Sequence, residues 1–403
     1  MNAVGIDVSK GKSMVAVVRP FGELVVKPRE VRHTPSELRE LANSLKSLDG
    51  ETRVILEHTG RYYEPVAQML HDAGIFVSAV NPLLIKEYGN NSLRRVKTDK
   101  ADSLKIARYG LDNWAELRQH TPMDTTRYQL KSMNRQYGLY TKNKIALKNN
   151  LIALLDQTYP GVNALFDSPA RGDGSQKWVD FAASFWHVDC VRSASRAAFI
   201  ERYRKWCNRH GYNFNAARAG EIHEEAKNLI AMLPKDTLTK MLIQEAIAQL
   251  NAVSRTVEVF RAEMKRLAEH LPEYPVVMSL YGVGDSLGPQ LMAEIGDVSR
   301  FAHKGSLTAF AGVDPTPNQS GTYEAKSTSS SKRGSPDLRK TLFLVMVALL
   351  QKAPLDDPVF RFLDKKRAEG KPYHVYMTAG CNKFLRIYYG KVKEHLASIA
   401  TAE

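Results

Sequence analysis

Val4-Gly5-Ile6-Asp7-Val8, near the start of the chain, is an apolar run interrupted by one carboxylate. An acid inside such a strand-like stretch would point at a sheet without a partner unless a cation or other polar groups met it, because an unpaired buried charge is strongly disfavoured. The run is the first of several. Ala3 to Val8, Met14 to Val18, Leu24 to Val31, Val54 to Glu57 and Ile75 to Val80 all read as strands. Helical patterns fall between the later ones: Thr34-Pro35-Ser36-Glu37 opens one with a capping residue and a proline in the first turn, and Glu64 to His71 forms another.

Three strands in succession, then helix, strand, helix, strand, is the order of an RNase H-like α/β domain. That arrangement sets the strand ending in Glu57 beside the one carrying Asp7, so carboxylates distant in sequence meet. Lys97-Thr98-Asp99-Lys100-Ala101-Asp102 then begins a helix that Thr98 caps and that runs through Leu104, Ile106 and Ala107 to Leu111. Three residues apart, Asp99 and Asp102 share a helix face, and the helix N-terminus helps to keep Asp99 ionised. Asp7, Glu57, Asp99 and Asp102 are therefore candidate catalytic and metal-binding residues. Two Mg²⁺ (or Mn²⁺) ions about 3.5–4 Å apart can activate an attacking oxygen and stabilise a leaving one in phosphoryl transfer, and holding them takes carboxylates from several elements. Arg94, Arg95, Lys97 and Lys100 flank the acidic pair. Charge runs are usually solvated faces, but one beside a metal site is placed to guide a nucleic-acid backbone.

The 403 residues, 43% of them hydrophobic, suffice for two or three globular domains. A formal net charge of +14 points to a polyanionic partner, nucleic acid first. A basic membrane-surface protein is the competing class, but the sequence has no apolar run long enough to span a bilayer, no signal-peptide pattern and no strongly basic amphipathic anchor. Three scattered cysteines, Cys190, Cys207 and Cys381, suit a reducing cytoplasm. His187-Val188-Asp189-Cys190 and Cys207-Asn208-Arg209-His210 mimic zinc-ligand spacing. The neighbouring Phe185, Trp186 and Trp206 favour buried thiols instead.

From Leu130 a heptad-like seam runs through Met133, Tyr137, Tyr140, Lys144, Leu147, Leu151 and Leu154, and a second runs from Ile243 to Leu271. Two such helices make either a coiled-coil hairpin or a dimer interface. Between them, about 160–234, an aromatic-rich stretch reads as a helical insertion. Further on, Tyr281-Gly282-Val283-Gly284 has the form of a helix-hairpin-helix turn whose amides can face a phosphate, with a plain helix–helix turn as the alternative. A Ser/Gly/Lys-rich segment, 319–333, precedes an apolar helix from Leu338 to Leu350 and reads as a functional loop. Lys326, Lys332, Arg333, Arg339 and Lys340 lie near Ser320, so a phosphate attacked by that serine would be neutralised. The residues alone do not separate Ser320 from Ser327 or Ser331 as a nucleophile.

Taken together, these strings resemble the DEDD-type insertion-sequence transposases related to the Piv/MooV DNA invertases, the IS one-ten group. The resemblance rests on Gly5-Ile6-Asp7-Val8-Ser9-Lys10, Glu57-His58-Thr59-Gly60, Val80-Asn81-Pro82 and Lys97 to Asp102, then on Gly282-Val283-Gly284, Ala293 to Asp297, Phe310-Ala311-Gly312, Gln319-Ser320-Gly321 and Ser331-Lys332-Arg333-Gly334. It covers about 3–155 and 272–395. It implies a RuvC-like RNase H-fold domain at 1–124, a coiled-coil region with the helical insertion at 125–271, and a mainly helical transposase domain at 272–403. It further implies Ser320 as the nucleophile that forms a serine–DNA phosphoester, with Ser331 contacting DNA or structure. The implied partners are donor and target double-stranded DNA, a non-coding bridge RNA, and further copies of the chain as a dimer or tetramer. The implied setting is the prokaryotic cytoplasm, at the nucleoid. The 160–234 insertion is larger than in compact members of the group.

Three rivals remain. A RuvC-like nuclease would hydrolyse DNA with water and leave Ser320 idle. An actin-like sugar or acetate kinase shares the first phosphate strand, but its other glycine-rich motifs are missing. A non-enzymatic packager would use charge and coiled coil alone.

Overall fold

The computed structural model describes residues 1–58, 60–88, 98–315 and 329–401, together with the backbone of 319–320 and 323–324. Two compact units, Met1–Pro122 and Met123–Glu403, divide the chain.

In the first unit the order is β1 (Asn2–Ser9), β2 (Lys12–Val18), β3 (Leu24–Arg32), α1 (Pro35–Lys46), β4 (Thr52–Glu57), α2 (Tyr63–Asp72), β5 (Phe76–Val80), α3 (Pro82–Glu87) and α4 (Asp99–Asp112). One mixed sheet results, in the order β3-β2-β1-β4-β5. β1 runs antiparallel to β2 and parallel to β4, and β4 runs parallel to β5. Local chemistry explains the connections. Ser9 pairs with Lys12 across a two-residue turn in which Gly11 takes a positive φ, the backbone twist a tight hairpin requires. The parallel pairs need crossovers, supplied by α1 and α2. Thr34 caps α1 by accepting from the Glu37 amide at 3.3 Å.

The two faces of the sheet carry different helices. Val4, Ile6, Val54 and Leu56 pack with Leu38, Leu41, Val66 and Leu70 of α1 and α2. On the other face Ala3, Ile55 and Val80 pack with Ile106 and Ala107 of α4. The sequence pattern did not disclose α3. Asn81 starts it by accepting from the Leu83 amide at 3.0 Å, with Pro82 in the first turn.

The second unit is mostly helical. Its order is α5 (Thr125–Leu155), α6 (Lys177–Ser184), α7 (Asp189–Arg192), α8 (Arg196–His210), α9 (Ala216–Lys227), α10 (Thr237–Glu269), α11 (Tyr274–Met278), α12 (Leu287–Ile295), α13 (Lys304–Ala311), β6 (Gln319–Ser320), β7 (Tyr323–Glu324), α14 (Pro336–Lys352), α15 (Pro358–Ala368) and α16 (Tyr373–Ala400). The long helices α5 and α10 pair antiparallel within one chain. The Tyr140 and Phe260 rings lie 5.5 Å apart, Lys144 approaches Glu258 at 3.9 Å, and Leu151 shares a core with Leu250.

Residues 160–234 hold α6 to α9 around an aromatic core of Phe181, Phe199, Tyr203 and Trp206. Cys190, Cys207 and Cys381 are buried free thiols. His187 does not face them as a ligand. Its Nδ1 accepts from the Asp189 amide at 3.0 Å and its Nε2 meets the Leu233 carbonyl at 3.0 Å, so both nitrogens serve the backbone. Helices α11 to α16 share a separate core that includes Leu291, Ile295, Leu342, Val345, Leu385 and Tyr388. Among the described residues no helix is long and apolar enough to cross a membrane.

Candidate functional site

The register between β1 and β4 decides how the acids meet. Ile6 is opposite Leu56, so Asp7 and Glu57 follow as neighbours on adjacent parallel strands and, by strand alternation, on the face that α4 covers. Thr98 caps α4 by accepting from the Ala101 amide at 3.2 Å, and Asp99 and Asp102 occupy the first turn.

Gly5 lets the helix come this close. A Cβ there would overlap the Ser103 carbonyl oxygen and the Ala107 amide nitrogen, so only glycine accommodates α4 against β1 at this height. Gly110 does the same further along, where a Cβ would overlap Ile55. Both close approaches were missed in reading the sequence. Gly5 lies inside the opening motif but shows no local turn that demands a glycine.

The electrostatic result is visible at Asp7. Burial, followed by the charges of Asp102, Asp99 and Glu57, pushes its carboxyl from 3.8 up to about 6. Among the described residues no three potential ligands are already drawn together as a metal-binding set. The four acids nonetheless fit a hard divalent cation. All offer carboxylate oxygens, and their mutual repulsion is what such an ion would relieve. Of the basic cluster, Lys100 lies exposed in the first turn of α4, whereas Arg94, Arg95 and Lys97 lie outside the described residues.

In the second unit the Ser/Gly/Lys-rich segment leaves the helices as a ribbon with a tightly bonded base. Pro315 and Ser330 form an antiparallel bridge. The Ser331 amide donates to the Asp314 carbonyl at 3.0 Å, and its hydroxyl donates to the Asp314 carboxylate at 2.6 Å. Lys332 donates its amide to the Gly312 carbonyl at 3.1 Å and Ser335 donates its own to Phe310 at 2.8 Å. Further out, Ser320 pairs with Tyr323 between β6 and β7. Lys326 and Ser327 lie outside the described residues.

Several residues read as nucleic-acid contacts are engaged inside this unit. Arg339 Nη1 donates to the Ala311 and Gly334 carbonyls, both at 3.0 Å, and so staples the two feet of the ribbon. Gly282 takes a positive φ against Val345 and Leu349, while nothing crowds Gly284. Lys332 and Arg333 stay exposed. Beneath the ribbon the buried carboxylate of Glu294 accepts from Asn134 at 2.7 Å, Arg135 at 2.8 Å and Ser335 at 3.3 Å. Arg135 also pairs with Asp337. This network, absent from the sequence reading, ties α5 and α12 to the start of α14.

A mixed α/β unit with acids from two strands and a helix on one face, joined to a helical unit, is the frame in which the family matches place a DNA-processing recombinase or transposase. The chain matches the DEDD transposase model of IS110 over residues 4–160 and the model described as Transposase IS116/IS110/IS902 family over residues 274–360. It belongs to the IS110/IS116 family of transposases. It is 22% identical over 371 residues to the 43.6 kDa protein of insertion element IS110 from Streptomyces coelicolor, covering 92% of this chain and 88% of that one. It is 24% identical over 343 residues to the pilin gene-inverting protein of Moraxella lacunata, covering 85% and 80%. T. thermophilus RuvC in complex with Holliday junction substrate aligns over 29% of this chain and 96% of its own at 17% identity. Its TM-score of 0.23 adds no weight to the fold, which rests on strand order and direction.

Proposed function

We propose that this transposase exchanges DNA strands through a serine–DNA phosphoester at Ser320, with Asp7, Glu57, Asp99 and Asp102 holding Mg²⁺ or Mn²⁺ at the scissile phosphate. The observation that carries the reading is the β1–β4 register, which sets Asp7 beside Glu57 on the face covered by α4, whose first turn bears Asp99 and Asp102. A bound divalent ion supplies neutralising charge at the phosphate.

The protein's own residues do the rest. Ser320 Oγ loses its proton and forms a bond to phosphorus; the bond from phosphorus to the deoxyribose oxygen breaks, and that oxygen leaves as a hydroxyl. The reverse attack, by a hydroxyl of the exchanged strand, releases the serine, so rejoining needs no nucleotide cofactor. A non-coding RNA with loops pairing to donor and target DNA selects the sites, and the net charge of +14 suits both nucleic acids. The acids and Ser320 lie in different units of the chain, and the reading requires them to act on one phosphate, from one subunit or from two of a dimer or tetramer.

The test is Ser320→Ala beside Asp102→Asn, assayed for denaturant-resistant protein–DNA adducts and for joined product. The reading requires Ser320→Ala to bind DNA without an adduct and Asp102→Asn to keep RNA binding while losing exchange. If Ser320→Ala still cuts DNA at the wild-type rate, the hydrolytic nuclease takes its place.

A further inference from the structure

The helical insertion carries a pocket that the strand-exchange chemistry does not use. Arg171, Asp173, Ser175, Asp180, Asn251 and Arg255 line a cavity of about 240 Å³ between residues 171–180 and α10. Its walls are well fixed. Gly174 takes a positive φ, and a Cβ there would come within 2.9 Å of the Ser254 carbonyl oxygen, so the 171–175 turn is seated on α10. The Arg171 guanidinium lies 4.1 Å over the Tyr212 ring and donates to the His210 carbonyl at 2.5 Å. Trp206 stacks against the same tyrosine at 5.2 Å, and the Tyr212 hydroxyl donates to Asp180 at 2.6 Å.

The polar groups facing the cavity are only partly satisfied. Asn251 and Arg255 are one helical turn apart on α10, and neither side chain has a hydrogen bond or ion pair among the described residues. Asn251 and Arg255 offer donors to an anion; Ser175 Oγ, fully buried under the turn, does not. Two carboxylates line the same space: Asp173 accepts from the Ser175 amide at 2.9 Å, and Asp180 accepts from Tyr212. A bare phosphate would be repelled by them, so the ligand that fits brings both an anion and hydroxyl donors. A ribose phosphate does so; a deoxyribose backbone has no 2′-hydroxyl to give.

We propose that this pocket holds one ribose-phosphate unit of an RNA strand, with the phosphate on Arg255 and Asn251 and the 2′-hydroxyl on the Asp173 and Asp180 side. The insertion is then an RNA-docking module. This rests on the RNA partnership proposed above and assigns it a location.

The experiment uses the full chain, a fluorescein-labelled single-stranded RNA 24-mer and the DNA of the same sequence, titrated by anisotropy at several salt concentrations. Arg255→Gln and Asn251→Ala are the variants. Arg255 is exposed and unpaired, so its replacement leaves the melting temperature unchanged, and the melt of each variant serves as the folding control. The expected result is wild-type preference for RNA. Arg255→Gln should then weaken RNA binding about tenfold, lower the salt slope by about one and leave DNA binding within about twofold. Equal losses for RNA and DNA would overturn the ribose assignment. Unchanged RNA binding by both variants would overturn the pocket while leaving the RNA partnership standing. Absence of any RNA preference in the wild type would sink the partnership itself. Displacement of RNA by submillimolar AMP would reassign the pocket to a free nucleotide and overturn the strand.

Discussion

Gly5 of β1 lies directly against the backbone of Ser103 in α4, with no space between them for a methyl group. Asp7 is two residues beyond Gly5 on the same strand face, and Asp102 immediately precedes Ser103. This single contact therefore sets how near the acids of the helix come to the acid of the strand.

Gly5→Ala should push α4 away from the sheet. The obstacle is helix backbone, which cannot rotate aside, so destabilisation of at least about 1–3 kcal/mol is expected, with loss of strand exchange. Gly110→Ala meets the Ile55 side chain, at Cδ1 and Cγ1, and not helix backbone, and should be milder. Urea unfolding of the two variants decides the matter, and equal midpoints would refute the argument.

Asp7 gives a pH signature. A carboxyl whose pKa rises on folding, here to about 6 from 3.8, binds its proton more tightly in the folded state. Its stabilising contribution is complete below about pH 3.8 and is lost as the pH climbs through 6. Ionised Asp7 thus opposes folding at neutral pH. Asp7→Asn should melt above wild type at about pH 7.5, by a margin that shrinks steadily toward pH 4, while abolishing exchange at every pH. Millimolar Mg²⁺ should raise the wild-type melting temperature more than that of the variant, and more at about pH 7.5 than at pH 5. Calorimetry over a pH series with and without Mg²⁺ reads both effects.

Arg339 separates two roles that its charge alone confuses. A phosphate ligand would weaken DNA binding and its salt dependence when removed. A staple between Ala311 and Gly334 would not. Arg339→Ala is expected to bind DNA within about twofold of wild type, with an unchanged salt slope, and to lose most serine–DNA adduct formation. Anisotropy titration and adduct capture on one preparation make the comparison.

Mixing Ser320→Ala with Asp102→Asn tests where the two halves of the chemistry come from. Each variant alone should be inactive. If one subunit supplies the acids and another the serine, the mixture should recover roughly a quarter to a half of wild-type joined product. A mixture as inactive as its parts would place acids and serine in the same subunit.

The strands and the first capped helices were legible because their signals are local. The apolar run of β1 and the Thr34 and Thr98 caps each involve residues only a few positions apart. The short helix α3 escaped because six residues carry no period, and Asn81-Pro82 reads equally well as a turn. Hairpin or dimer stayed open for α5 and α10, since a heptad seam specifies an apolar stripe and not the chain that covers it. Arg339 and Glu294 were illegible for a related reason. Their partners come from segments distant in sequence, and charge alone does not say whether a guanidinium faces a phosphate or two carbonyls.

The sequence by itself marked the candidates: four acids on a strand–strand–helix framework, three serines in a basic loop, and an excess of positive charge that suits nucleic acid. Tertiary structure alone decided what those residues feel. Burial first, and then the acids that the β1–β4 register and the missing Cβ of Gly5 bring near, make Asp7 resist ionisation, and backbone carbonyls brought together by folding occupy the arginine. Ionisation and pairing depend on distances of a few ångströms between elements, and those distances exist only once the chain has packed.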